Sequence, residues 1–262
     1  MSSEHAHDEH EDHPYYLAHH FFSMEQQNES AKFGMWAFLA QELLFFSGLF
    51  MAYISMRYLY PGTFEDVQAR NLLNIPLGAL NTLVLLTSSL TMALAVRYTQ
   101  LIPKEKILAP PSERSAEEQH NRKWVKIHLL VTSVLACCFL VIKYFEYSHK
   151  IHEGMLPGDL YAFAEWSTIL DSNGGVIGVA SESAAPIVTE APQLFFSLYF
   201  MMTGVHGLHV LIGVGVILWL YFRAHRGEFN EENYIAVENV GLYWHLVDLI
   251  WIFLFPLLYL VQ

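Results

Sequence analysis

Five stretches of this 262-residue chain are apolar almost without interruption, and they constrain its fold more than any other feature. They run from Phe33 to about Arg57, Ile75 to Tyr98, Trp124 to Tyr147, Pro192 to Phe222 and Ala236 to Val261. A helix of roughly 20 apolar residues crosses a hydrocarbon core ~30 Å thick. The runs lack the in-out alternation of a membrane β-barrel. Only 15% of the residues are charged, against about 25% in a soluble domain, too few to cover a water-exposed globule. The reading is an all-α integral membrane protein, a five-transmembrane-helix bundle.

Lys and Arg concentrate in cytoplasmic segments. Arg97, Lys104, Lys106, Arg114, Arg122, Lys123 and Lys126 fall between spans two and three, Arg223 and Arg226 after span four, and Lys32 before span one. The alternate side holds only Arg57, Arg70 and Lys150, while Lys143 lies inside a span. The bias places the N-terminus in the cytoplasm and the C-terminus outside. The net charge of −12 offers no basic patch for nucleic acid. Cys137 and Cys138, adjacent in sequence, fit neither a disulfide scaffold nor a metal motif.

Residues 1–30 read as an acidic, His-rich cytoplasmic tail without the pattern of a signal peptide, and residues 31–262 as the membrane domain. The histidines His5, His7, His10 and His13 could meet zinc, nickel or copper, or be incidental to a solvated tail. Residues 100–122, with Pro103, Pro110 and Pro111, read as a linker of low helical order. Residues 149–191 form a long external loop, with a turn at Asp171 to Gly175 between apolar pieces that could make a small cap.

Ionisable groups at membrane depth are costly and point to function. Glu42 lies about 14 Å along the first span. His206 and His209 fall near the middle of the fourth, and His245 and Asp248 near the middle of the fifth, with Glu238 closer to its start. Tyr199, Met202, His206, His209 and Gly213 share one stripe within about 80°, as do Glu238, Gly241, His245 and Asp248. A small-residue row, Gly34, Ala37, Gln41, Gly48, Ala52 and Ser55, marks the first span as a packing face, and Glu42 flanks it. The second span has its own in Gly78, Asn81, Thr82, Ser88 and Ser89. The histidines could ligate metal or haem, or hydrogen-bond across helices. Glu42 could be a protonatable relay or a structural donor. Lys143 and Glu146 fit an i,i+3 ion pair. Trp124, Tyr147, Tyr221 and Tyr259 read as interfacial anchors.

Several strings are familiar. YFMMTGVHGLHVLIG at Tyr199 to Gly213 and YWHLVDLIWIFL at Tyr243 to Leu254 resemble the signature of subunit III of haem–copper oxidases, the cytochrome c oxidase family. FLAQELLFFSGLFMAY, which carries Glu42, is similar to the family helix with a carbodiimide-reactive carboxylate. NTLVLLTSSLTMALA and KYFEY match in order, so the resemblance covers about residues 33–262. It implies a non-redox subunit of a proton-pumping terminal oxidase in the bacterial plasma membrane. Such a chain holds no haem or copper, which belong to partner subunits. It packs on subunit I beside subunit II and small subunits, binds phospholipid, and supports proton uptake, with cytochrome c as donor to the complex. Glu42 would be the buried carboxylate, and His206, His209, Glu238, His245 and Asp248 one internal polar network. Larger members have two further spans at the start, and many relatives have Gln at the position of Lys143. Other readings are a quinol oxidase subunit, an accessory chain of a nitric oxide reductase, a membrane cytochrome with haem on His206 or His209 and His245, and a stand-alone proton-coupled transporter.

Overall fold

The computed structural model describes residues 17–62, 64, 73–103, 114–152, 155, 168–170, 176–179 and 192–260. Among the described residues five long helices stand out: α1 (Met24–Leu59), α2 (Ile75–Gln100), α3 (Ala116–His152), α4 (Pro192–Arg226) and α5 (Ile235–Phe255). All five are long and apolar enough to cross a membrane. Most outlast the apolar runs that define them, because their polar ends continue helical beyond the hydrocarbon. The boundary expected at residue 30 therefore falls inside α1, and the loop expected from residue 149 begins after His152. In that loop Thr168–Leu170 (β1) pairs antiparallel with Val176–Val179 (β2), so the two apolar pieces meet as a hairpin. The turn assigned to residues 171–175 lies outside the described residues, as do His5, His7, His10 and His13 and residues 104–113 of the expected linker; its residues 116–122 are instead the first two turns of α3, so low helical order does not hold there.

Local chemistry sets the helix ends. Ser23 Oγ accepts from the Gln26 amide, Asn74 Oδ1 from the Leu77 amide, and Ser115 Oγ from the Glu118 amide. Gly227, with φ of 82°, follows α4, where a left-handed residue stops a helix. Pro256 has no N–H to continue the α-helical ladder, and α5 passes into a π-turn over Pro256–Leu260. Tyr53 of α1 donates to the Leu257 carbonyl in that turn at 2.9 Å.

In the four-helix core, α2 packs on α3 and α5, and α4 packs on the same two; α1 lies outside against α5. The buried face of α3 recurs every three or four residues: Val125, Leu129, Thr132, Ala136 and Phe139. The same stripe ends in charge, with Glu118 and Arg122 at one end and Lys143, Glu146 and Lys150 at the other. Arg122 donates to Glu118 at 2.8 Å and to the Gly227 carbonyl at 3.1 Å, tying α3 to the α4–α5 connection. Phe33, Leu44, Met51, Tyr144 and Phe222 point outward, as a lipid-facing surface permits.

α1 does not pack as its small-residue row suggested. A Cβ at Gly34 or at Gly48 would meet nothing within 4 Å. The row faces outward, and α1 is held instead by long side chains: Lys32 to Glu238 at 3.3 Å, Asn28 to the Glu232 carbonyl, Tyr53 to Leu257, and Glu42 to His209.

Candidate functional site

The ionisable groups inside the bundle divide into separate contacts rather than the single network expected of His206, His209, Glu238, His245 and Asp248. The stripe on α4 spreads its members over about 80°, enough for adjacent residues of one stripe to meet different neighbours. His209 turns toward α1, where its Nε2 lies 3.0 Å from Glu42 Oε2. Its Nδ1 lies 2.8 Å from the Val205 carbonyl oxygen. A carbonyl only accepts, so Nδ1 carries a hydrogen. Nε2 and the carboxyl oxygen would then be two facing acceptors unless one further proton lies between them. The pair therefore holds that proton either as carboxylic acid with neutral imidazole or as carboxylate with imidazolium. Phe46 packs edge-on against the His209 ring at 5.2 Å. Tyr243 of α5 donates to the His209 carbonyl at 2.9 Å. Both side chains of the pair are largely covered, at 12% exposure for Glu42 and 16% for His209.

His206, one turn away, is fully buried between Phe139 at 5.6 Å and Trp251 at 5.2 Å. His245 belongs to the α2–α5 seam. Its Nδ1 lies 2.6 Å from Ser89 Oγ, while Trp244 Nε1 donates to Ser88 and Trp251 Nε1 to Thr82, each at 3.1 Å. The two indole–hydroxyl contacts recur after seven residues on α5 and six on α2, about two helical turns, and so zip antiparallel helices along one seam. Gly78 and Gly241 lie in it, against Phe255 and Val96 respectively. Asp248 is buried on the same face but forms no bond with His245; Ser89 takes that place. Glu238 sits at the start of α5 in the pair with Lys32.

The densest polar cluster closes the opposite end of the bundle. Lys143 Nζ lies 3.0 Å from Glu146 Oε2 and donates to Tyr259 Oη at 3.0 Å and Tyr199 Oη at 3.3 Å. Glu146 Oε1 accepts from Tyr199 at 2.7 Å and from Tyr259 at 2.5 Å. The ammonium also sits 4.8 Å from the Trp251 ring centroid, on the indole that His206 contacts. Three helices and the π-turn thus converge on one neutralised ion pair. Tyr259 is a member of this cluster and Tyr147 bonds Thr203, so neither serves merely as the interfacial anchor expected. Trp124 stacks with Tyr98 and His128 at the far end.

Sequence reasoning missed Tyr199, Tyr259 and Trp251 as partners of Lys143. The available signal was a buried cation needing more acceptors and ring faces than Glu146 alone supplies. Among the described residues no three His, Cys, Asp or Glu side chains converge as a metal set. Both ring nitrogens of His209 are already engaged, and His245 is bonded within another seam. His206, by contrast, has neither ring nitrogen hydrogen-bonded and is enclosed by Phe139 and Trp251.

Residues 173–262 match the family model described as cytochrome c oxidase subunit III. The chain is also similar to the probable quinol oxidase subunit 3 of Staphylococcus saprophyticus subsp. saprophyticus, 25% identical over 94% of this chain and 97% of the relative. The protein of the same name from Staphylococcus haemolyticus is 24% identical over 91% and 92%. That from Staphylococcus aureus strain USA300 is 23% identical over the same shares. Five helices long and apolar enough to cross a membrane, the motif-bearing α4 and α5 and these end-to-end similarities agree: the chain is similar to subunit III of haem–copper terminal oxidases along nearly its whole length.

Proposed function

We propose that this chain is the non-redox subunit III of a quinol-fed terminal oxidase, packing on subunit I and sustaining proton delivery while oxygen is reduced. The observation that carries the proton role is the Glu42–His209 pair, which holds one proton at mid-membrane depth between α1 and the core. Haem and copper reside in the partner subunits. His209 and His245 support this division, being engaged by Glu42, Val205 and Ser89.

The donor assignment rests on the relatives. Those aligned over more than nine-tenths of both chains are named for quinol oxidase, whereas the cytochrome c oxidase description comes from a match to the last third of the chain. Quinol thus replaces cytochrome c as the favoured donor. The outward small-residue row on α1 supports a partner helix packing there, where close backbone approach is available. The bias of ten cations against three supports a cytoplasmic N-terminus and an external C-terminus.

The test is oxygen uptake by the complex purified through a tag on this chain. Reduced quinol supports cyanide-sensitive uptake and reduced cytochrome c does not. Uptake driven by cytochrome c alone would overturn the donor assignment. Glu42→Gln keeps the shape of the contact and removes the shared acid proton, so the complex assembles but loses activity faster during turnover. Failure of that variant to assemble would assign Glu42 to packing instead.

A further inference from the structure

Trp251 is fully buried in the core, its ring against Phe139 and His206 and its Nε1 hydrogen-bonded to Thr82 of α2 at 3.1 Å. Away from the helix ends, three of the described residues carry buried side-chain atoms with no hydrogen-bond partner. They are His206 at both ring nitrogens, Asn81 at both amide atoms, and Asp248 at Oδ1. All three stand around this indole. The His206 ring lies 5.2 Å from it, Asn81 is the residue beside Thr82, and Asp248 precedes Trp251 by about one turn of α5. His206 and Asn81 are wholly buried and Asp248 is 5% exposed, so their partners cannot come from bulk solvent.

Buried polar groups are rarely left alone: about nine-tenths or more have a partner, and where the protein supplies none an ordered water does, typically through about three hydrogen bonds. The chemistry of the set selects the ligand. An imidazole brings at least one N–H donor, the Asn81 amide brings donors and an acceptor, and Asp248 Oδ1 brings an acceptor. An anion would leave the acceptors unmet, and a cation would leave the donors unmet. Among the described residues no three metal-ligating side chains converge. Lys143, whose ammonium sits 4.8 Å from the same indole, directs its three N–H groups to Glu146, Tyr199 and Tyr259 and has none left for Asn81 or His206. A small neutral molecule that both donates and accepts is what fits.

We propose that His206, Asn81 and Asp248 hold internal water around Trp251, so that the bundle carries a hydrated site next to the Lys143–Glu146 cluster. The site is built from α2, α4 and α5 of this chain alone. It depends neither on the electron donor nor on the Glu42–His209 pair, where both nitrogens of His209 are engaged elsewhere.

Hydroxyl-radical labelling by a millisecond X-ray pulse tests this, because radicals made from an internal water oxidise the side chains that touch it. The full-length chain is labelled in its native complex in mild detergent, and its peptides are read by mass spectrometry. Met92 is the control, as fully buried as Trp251 and carrying an oxidisable thioether. Trp251 is expected to label at least about tenfold faster than Met92, and His206→Phe combined with Asn81→Leu to lower the Trp251 rate about fivefold as the water loses its partners. A Trp251 labelled no faster than Met92 in the unmodified complex means a dry core and overturns the proposal, whether or not the double variant assembles. A double variant that assembles and keeps the full Trp251 rate overturns the assignment of the water to these residues.

Discussion

At the scale of single residues, the molecule holds the Lys143 charge inside the bundle by closing it locally. Lys143 and Glu146 are 6% and 5% exposed, and two tyrosine hydroxyls and an indole complete their coordination. Removing one partner leaves the other uncompensated, which costs about 3–5 kcal/mol in a buried pair, whereas replacing both by apolar groups is often near neutral. Lys143→Met and Glu146→Leu should each lower the thermal unfolding temperature of the purified complex sharply, and the double variant should recover most of the loss. A double variant as damaged as the sum of the two would mean that these residues act independently. Tyr259→Phe removes a single hydrogen bond to a charged group, about 1.5–3 kcal/mol, and its unfolding temperature should fall less than that of either ion-pair variant. Lys143 and Glu146 were legible as a pair because i,i+3 residues are neighbours on any helix. Tyr199 and Tyr259 were not, since residues 56 and 116 positions away come together only through tertiary packing. For the same reason His245 and Asp248 were legible as members of one stripe, while the bond His245 makes, to Ser89 of α2, was not.

At the scale of elements, the five spans were legible because apolar length alone specifies a membrane helix. The stripes on α4 and α5 followed from helical spacing. What spacing cannot tell is whether a face meets the same chain or another one, and the glycines separate these cases. A Cβ at Gly213 would lie 2.6 Å from Trp244 Cζ3, and one at Gly78 would lie 2.7 Å from Phe255 Cε2. Gly213→Ala should therefore destabilise the fold by about 1–3 kcal/mol, read as a lower unfolding temperature of the isolated chain in detergent. Gly48→Leu has open space within the chain, so the same measurement should be unchanged while recovery of partner subunits on the tagged chain falls. Equal destabilisation of the isolated chain by both would place α1's row in an internal contact. Pro256 acts differently. By ending the α-helical ladder it creates the π-turn that brings Tyr259 to Glu146 and leaves the Leu257 carbonyl to Tyr53. Sequence marked it only as a residue inside an apolar run.

At the scale of the whole molecule, α1 is the outlying helix, joined to a four-helix core by a few long side chains of which Glu42–His209 is the one at mid-depth. Under the proposed function, the outward small-residue row of α1 is the face open to a partner subunit, while the core packs on its own seams. The proton held between Glu42 and His209 then sits where α1 meets the core. Under the proposed function this chain works within an oxidase and holds no redox centre of its own. The direct measurement is a visible absorption spectrum of the tagged chain isolated in mild detergent from its native membrane, beside that of the same chain expressed alone. Reducible haem bands are expected in the complex, with cyanide-sensitive oxygen uptake, and no haem bands in the chain alone. Stoichiometric haem bound to the chain alone would contradict it and would make His206 and His245 the first ligands to test.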